Sequence, residues 1–414
     1  DPDGDPLTYT WRFADGVQGS GPTMQRSFQD ANGDMRETGG YLVTLNVSDG
    51  RGGTSSASVR IGVFPDGCPA SLDFDAIRAQ LASQGQDLAF VKIGFHTGGG
   101  GTFNGLGKWE HCLDAAGVPF AVKSVPNSRT AGMGDAAELR ARSGVPHTIV
   151  FRRCCDQYEL PACAIASAST AWSACTMDNA QQEAEAHWQR HLQAFPPDVQ
   201  AYKQLVWVET INEPWKGSST RNNAEWLARF SYYTALTALD AGYNYAAFGW
   251  TTGEPEYGVP PKPDLDPANQ WDGPEMQRFL RLAAQYPDRI AIALHEYDLG
   301  DPTLKASYPD KVGRFEKLFE RCDANGIPRP TVLITEFGWP GVPSVSYQMS
   351  PDNLPWAAGL YAKYPQVLGV DMWDGGDLSP VIPPLTAYSL QHYFAIPRPR
   401  QPSSPAHAST APER

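Results

Sequence analysis

At 414 residues the chain is too long for one ordinary core, so it is expected to hold two domains, or one barrel with an appendage. A net charge of −13 excludes an electrostatic grip on nucleic acid or anionic lipid, and no apolar run approaches the ~20 residues that a membrane helix needs. The 12 Trp and 17 Tyr in an acidic chain suit a neutral, ring-shaped ligand better. The chain begins at Asp1 without a Met, so upstream sequence is expected.

In chain order, residues 1–64 read as short strands and turns. Residues 7–13 and 41–47 alternate with period two, 55–63 give a third run, and Asp15-Gly16 and Asp49-Gly50 mark turns between them. This is the pattern of an antiparallel β-sandwich. Asp1, Asp3 and Asp5 form either a calcium loop or a polar turn, and the turn is favoured because the ligand set is too short to close a cage. The stretch DPDGDPLTYTW, followed by GGYLVTLNVSDGRGGTSSASVRIGV, resembles the polycystic-kidney-disease (PKD) and cadherin-like modules of secreted bacterial enzymes. Those modules carry further strands before this motif, so the sandwich is expected to be truncated at its start. Residues 65–70 then read as a linker.

From residue 71 strands alternate with amphipathic helices. The expected strands are 89–95, 120–125, 148–152, 205–211, 245–250, 290–295, 331–335 and 368–373. Eight strands with helices between them predict a (β/α)₈ barrel over 71–396, an α/β fold behind the small all-β sandwich. A doubly wound open sheet is the alternative. Its dinucleotide fingerprint is missing from Gly98–Gly107, where no G-x-G-x-x-G register leads to a second strand and acidic residue. Residues 397–414 are rich in Pro, Ser and Ala and are expected to be disordered.

The cysteines bear on compartment. Cys154, Cys155, Cys163 and Cys175 crowd one stretch with no C-x-x-C pair and no intervening His. A zinc knuckle is the sharper reading; disulfides that staple a loop, in a secreted or cell-surface protein, are the favoured one. Cys68, Cys112 and Cys322 are scattered, and a total of seven leaves at least one thiol free.

Barrel chemistry sits at the carboxyl ends of the strands. The fourth strand runs into Asn212-Glu213-Pro214-Trp215 and the seventh into Glu336-Phe337-Gly338-Trp339. Each puts a carboxylate at the mouth, three strands apart and facing across it. Two carboxylates flanking one bond are what glycoside hydrolysis requires: one protonates the leaving oxygen while the other attacks the anomeric carbon or activates water. Ordinary strand-end acids are the plain alternative, and two such acids, each beside a Trp, count against it.

At VETINEPW and ITEFGWPG the sequence resembles the clan A glycoside hydrolases, the superfamily of many cellulases, mannanases, xylanases and β-glycosidases. That resemblance implies a retaining enzyme with Glu213 as acid/base and Glu336 as nucleophile, and Asn212 bonded to the substrate 2-hydroxyl. It implies no metal and no cofactor. The substrate would be a β-linked oligo- or polysaccharide, taken by a monomer. His295 and Tyr297 look like the His-x-Tyr pair of several clan families, with Tyr297 on the nucleophile and His295 lining the sugar site. Trp373, ending the eighth strand, looks like the aromatic platform under the scissile sugar. Arg152 is placed either against the nucleophile or against a buried Glu, and Glu209 is expected as a buried structural acid. No clear His stands near the end of the third strand, a departure that leaves the subfamily open.

Two insertions, 154–178 and 251–274, follow the third and fifth strands, where loops build the cleft. Tyr257 and Trp271 in the second are either subsite platforms or loop packing. Transglycosylation by the same residues, and a non-catalytic carbohydrate-binding or adhesion protein on a barrel, are the competing readings.

Overall fold

The computed structural model describes residues 5–13, 16–26, 39–63, 67–98, 103–125, 133–155, 158–166, 172–215, 220–255, 270–373 and 376–398. Asp1, Asp3, Tyr257 and residues 399–414 of the expected disordered tail therefore lie outside the described residues.

The first strands are β1 (Thr8–Phe13), β2 (Gln18–Ser20), β3 (Gly39–Ser48) and β4 (Thr54–Val63), in one antiparallel sheet of order β2-β1-β3-β4. Among the described residues this is a single sheet, with no second layer. The β3–β4 hairpin turns at Asp49, whose Oδ1 accepts the N–H groups of Arg51 (2.7 Å) and Gly53 (2.9 Å). Asp5 pairs with Arg51 across 3.2 Å, as a polar turn residue would.

Eight parallel strands then close a barrel: β6 (Ile93–Gly98), β7 (Ala121–Val125), β8 (Thr148–Arg152), β9 (Val206–Glu209), β10 (Asn244–Trp250), β11 (Ile290–Tyr297), β12 (Thr331–Gly338) and β13 (Val367–Trp373). Closure rules out the doubly wound alternative. Helices such as Leu106–Ala115, Ala180–Ala194, Arg221–Asp240 and Pro274–Gln285 lie between them. No helix among the described residues is long and apolar enough to cross a membrane.

Strand alternation sorts the core into two parts. Outward residues such as Phe95, Val122, Ile149, Val208 and Ile292 join the helices in one large apolar cluster. Inward residues Val150, Trp207, Ala246, Ala291, Ala293 and Leu333 make a second, smaller one that plugs the bore. Above that plug the inward positions become charged.

The expected first strand, 89–95, is in fact two. β5 (Gln86–Ala89) leaves the barrel to pair with β14 (Phe394–Pro397), and β6 starts only at Ile93. The apolar residues Leu88, Ala89, Phe90 and Val91 run on towards Ile93, so hydropathy alone does not mark the break between the two strands. Pro397, expected in the tail, pairs with Gln86, and the next residue, Arg398, bonds Asp87 at 2.9 Å.

The cysteines form Cys68–Cys112, Cys154–Cys155 and Cys163–Cys175, and Cys322 is free and buried. The zinc-knuckle alternative is thereby replaced by disulfides.

Candidate active site

Glu336 owes its position to a bulge. Leu294 pairs with Ile334 but His295 pairs with Glu336, so β12 carries one extra residue, and the same surplus recurs against β13. A regular strand sends consecutive side chains to opposite faces; the bulge lets both Thr335 and Glu336 turn inward. Thr335 Oγ1 donates to Glu209 Oε1 at 3.2 Å, and Glu336 reaches the mouth at 7% exposure.

The Glu336 carboxylate is held on every side. Oε1 accepts from Arg152 Nη1 (2.8 Å) and lies 3.5 Å from Lys123 Nζ and 3.7 Å from His96 Nε2. Oε2 accepts from the Tyr297 hydroxyl (2.9 Å) and lies 3.5 Å from His295 Nδ1. Burial by itself pushes this carboxyl up, but His295, Lys123, Arg152 and His96 together outweigh it and hold it well below the usual carboxylate range. Glu336 is ionised. Burial and the Glu336 charge push the Tyr297 phenol well up, so it stays a donor.

Glu213 lies beyond its strand. β9 ends at Glu209, short of the expected 211, and Glu213 sits in the following loop with φ of 43°, a left-handed backbone that a side chain rarely adopts. A second bulge supports it. β10 has an extra residue between Ala247 and Trp250, and there the Gly249 carbonyl accepts the Glu213 N–H at 2.9 Å. Glu213 Oε1 accepts from Thr251 Oγ1 (2.9 Å) and lies 3.3 Å from His295 Nδ1. One oxygen of Glu213, one of Glu336 and a ring nitrogen of His295 all lie within 4.8 Å of one another. The buried His295 ring would lose its proton through desolvation, but Glu336, Glu209 and Glu213 raise its pKa above the ordinary value.

Below them lies a charged layer. Lys123, wholly buried, is 2.6 Å from Glu209 Oε2, and Arg152 Nη1 is 3.7 Å from Glu209 Oε1. These two cations overcome burial and depress the Glu209 carboxyl. Arg152 thus contacts both of its expected partners, and through Nε it also holds Glu159 Oε1 at 2.9 Å. Asp371, on β13, is fully buried with neither oxygen hydrogen-bonded among the described residues, and burial keeps it neutral.

The other expected residues gather at the same mouth. Trp373 is half-buried and edge-on to both Tyr297 (6.1 Å) and His96 (6.2 Å). The buried Oδ1 of Asn212 has no partner among the described residues, so it is available to a ligand. Trp271 does not belong here: it is 1% exposed and packs beside Phe248, which settles it as loop packing.

Sequence reasoning missed His96, Lys123, Thr251 and Glu159. Lys123 had a readable signal, being a lone charge inside the buried run Ala121-Val122-Lys123-Ser124-Val125. His96 was lost because the first strand was expected to stop at Phe95. Thr251 and Glu159 lie in loops, where no periodicity marks an inward side chain.

Residues 1–63 match a family model described as a PKD domain. No curated protein matches the chain. Among solved structures, a family 39 glycoside hydrolase from Bacteroides cellulosilyticus WH2 is 15% identical with a TM-score of 0.37, covering 89% of this chain and 69% of that one. The catalytic domain of a mannanase from Streptomyces sp. SirexAA-E is 17% identical with a TM-score of 0.32, covering 79% and 87%. A family 5 xyloglucanase from Bacteroides ovatus, solved with a XXXG heptasaccharide, is 12% identical with a TM-score of 0.35, covering 93% and 90%.

Proposed function

We propose that this chain is a retaining glycoside hydrolase acting on a β-linked oligo- or polysaccharide, with Glu336 as nucleophile and Glu213 as acid/base. The observation that carries the reading is the pair itself, whose nearest oxygens lie within 4.8 Å in unlike surroundings. A retaining mechanism places its carboxyls about 5–5.5 Å apart, whereas an inverting one leaves about 6.5–9.5 Å for a water between them. Oxygens this close, with Glu336 ionised and aimed into the mouth, support direct attack.

Glu336, ionised and aimed by Arg152 and Tyr297, attacks the anomeric carbon. Glu213, held by Thr251, gives its proton to the departing oxygen. In the second half Glu213 takes a proton from water, which releases the sugar from Glu336 with its configuration restored. Asn212 would bond the 2-hydroxyl, Trp373 would carry the apolar face of the ring, and His295 would bridge the two carboxylates. His96 and Lys123 would complete the setting of the nucleophile.

In this reading residues 1–64 are a separate β module, joined by 65–70 to the barrel of 71–396, and serve attachment or spacing. Three disulfides fit work in an oxidising, extracytoplasmic compartment. The test is the anomeric configuration of the first-formed sugar, read by proton NMR on a β-linked substrate. A β product is expected; an α product would remove Glu336 as nucleophile.

A further inference from the structure

Cys154–Cys155 is a disulfide that a stapling argument does not explain. Cross-links stabilise a chain by closing loops, and the effect grows with the loop closed. Cys163–Cys175 closes a separation of 12 residues and Cys68–Cys112 one of 44, but Cys154–Cys155 joins neighbours and closes no loop. Its consequence is local shape. Two sulfurs, two methylenes and the intervening peptide make one small ring, with fewer free rotors than two separate thiols.

The location is specific. β8 delivers Arg152 to the mouth, and the ring begins two residues later. Both sulfurs and a Glu159 carboxylate oxygen lie within 4.8 Å of one another. Glu159 Oε1 takes the Arg152 Nε bond at 2.9 Å, while Arg152 Nη1 holds Glu336 at 2.8 Å. The Glu159 N–C=O unit also faces Asn212, whose N–H donates to that carbonyl at 3.4 Å. The ring therefore sits on the rim, separated from the nucleophile by one Arg–Glu clasp. Cys155 is exposed and Cys154 half-buried, so the ring presents itself to solvent rather than to the core.

Resting on the glycosidase reading above, we propose that the Cys154–Cys155 ring is an apolar platform for a sugar one or more subsites away from the scissile bond. Disulfide sulfur is polarisable and a poor hydrogen-bonding partner, and methylene groups are apolar. Such a surface suits the C–H face of a pyranose, as an aromatic face does. Glu159 beside it would take a hydroxyl of that sugar.

The test is the full-length double variant Cys154→Ala/Cys155→Ala, compared with wild type on β-linked oligosaccharides of increasing length and on an aryl monoglycoside. Stacking of this kind corresponds to about 3- to 10-fold in affinity. The ratio of kcat/KM on the longest oligosaccharide to kcat/KM on the aryl glycoside should fall by that factor, chiefly through KM. An equal change at every length, or none, would overturn the platform. So would peptide mapping of the non-reduced protein that finds Cys154 and Cys155 as thiols. Titration calorimetry of the long oligosaccharide on Glu336→Gln protein, with and without the double substitution, separates this proposal from the one it rests on. Equal affinities there overturn the platform alone, whereas a wild-type protein that cleaves no glycoside overturns the catalytic reading alone.

Discussion

Arg152 and Lys123 flank Glu336, whereas Glu213 meets a hydroxyl and an imidazole. These surroundings set what each substitution should do. Glu336→Ala should abolish the covalent step, and external azide should restore turnover with an α-configured azide product. Glu213→Ala should lose about 10²–10⁴-fold on substrates with poor leaving groups, and far less on activated aryl glycosides. Azide should then give a β-configured product. Full activity in either variant removes that residue from the mechanism. Lys123→Met tests the charged layer. It deletes a cation 3.5 Å from Glu336, so the Glu336 carboxylate is less favoured and its pKa rises. Because the group must be ionised to act, the acid limb of kcat/KM against pH should move to higher pH. Loss of one partner of a buried ion pair should also cost about 3–5 kcal/mol of stability, read by denaturant unfolding. A lower amplitude with an unmoved acid limb would mean that Lys123 only holds the fold.

At the scale of the strand, the β10 bulge is what places Glu213. Gly249 has φ of +56°, and a Cβ there would come within 2.3 Å of the Ile211 carbonyl and 2.7 Å of Glu209 Oε1. Gly249→Ala must shift the loop that carries Glu213, the buried acid beneath it, or both. A displacement near 1 Å costs about 10²-fold in rate, and such overpacking about 1–3 kcal/mol. The expected result is a folded protein with a lowered melting temperature and kcat/KM down about 100-fold; unchanged kinetics would show that the bulge does not position Glu213. The same bulges mark the limit of what the sequence could tell. Seven of the eight barrel strands could be read because apolar runs such as 290–295 and 331–335 stand clear of their polar flanks, and the motifs at 212–215 and 336–339 pointed to the mouth. The ends of the strands were not legible. An extra residue in β12 changes neither composition nor hydropathy, yet it decides that Thr335 and Glu336 share a face. Lys123 could be read as a buried charge, but its partner could not, because meeting Glu209 requires β7 and β9 to flank β8 in the folded sheet.

For the molecule as a whole, the question is how far the barrel depends on what precedes it. The sequence before Cys68 carries no pair of carboxylates in a motif like those at 212–215 and 336–339, so residues 1–64 should be dispensable for chemistry. Two features join the parts: the helix Leu106–Ala115 lies beside β3 and β4, and the Cys68–Cys112 disulfide ties the connecting segment to that helix. Where a truncation is cut therefore matters. A chain beginning at Gly67 keeps the disulfide; one beginning at Ser71 loses it and leaves Cys112, 1% exposed, as a buried thiol. A cross-link spanning 44 residues corresponds to about 4 kcal/mol in the loop-closure account. The Gly67 chain should retain kcat/KM on a soluble oligosaccharide within about twofold, since nothing at the mouth has changed. The Ser71 chain should turn over at a similar rate while folded but unfold at a clearly lower temperature. Calorimetry on both, beside kinetics at a temperature where both are folded, divides the outcomes. If the Gly67 chain is folded yet inactive, the N-terminal sheet contributes to the site and the division at residues 65–70 is wrong. If both chains melt together, Cys68–Cys112 is not what stabilises the entry to the barrel.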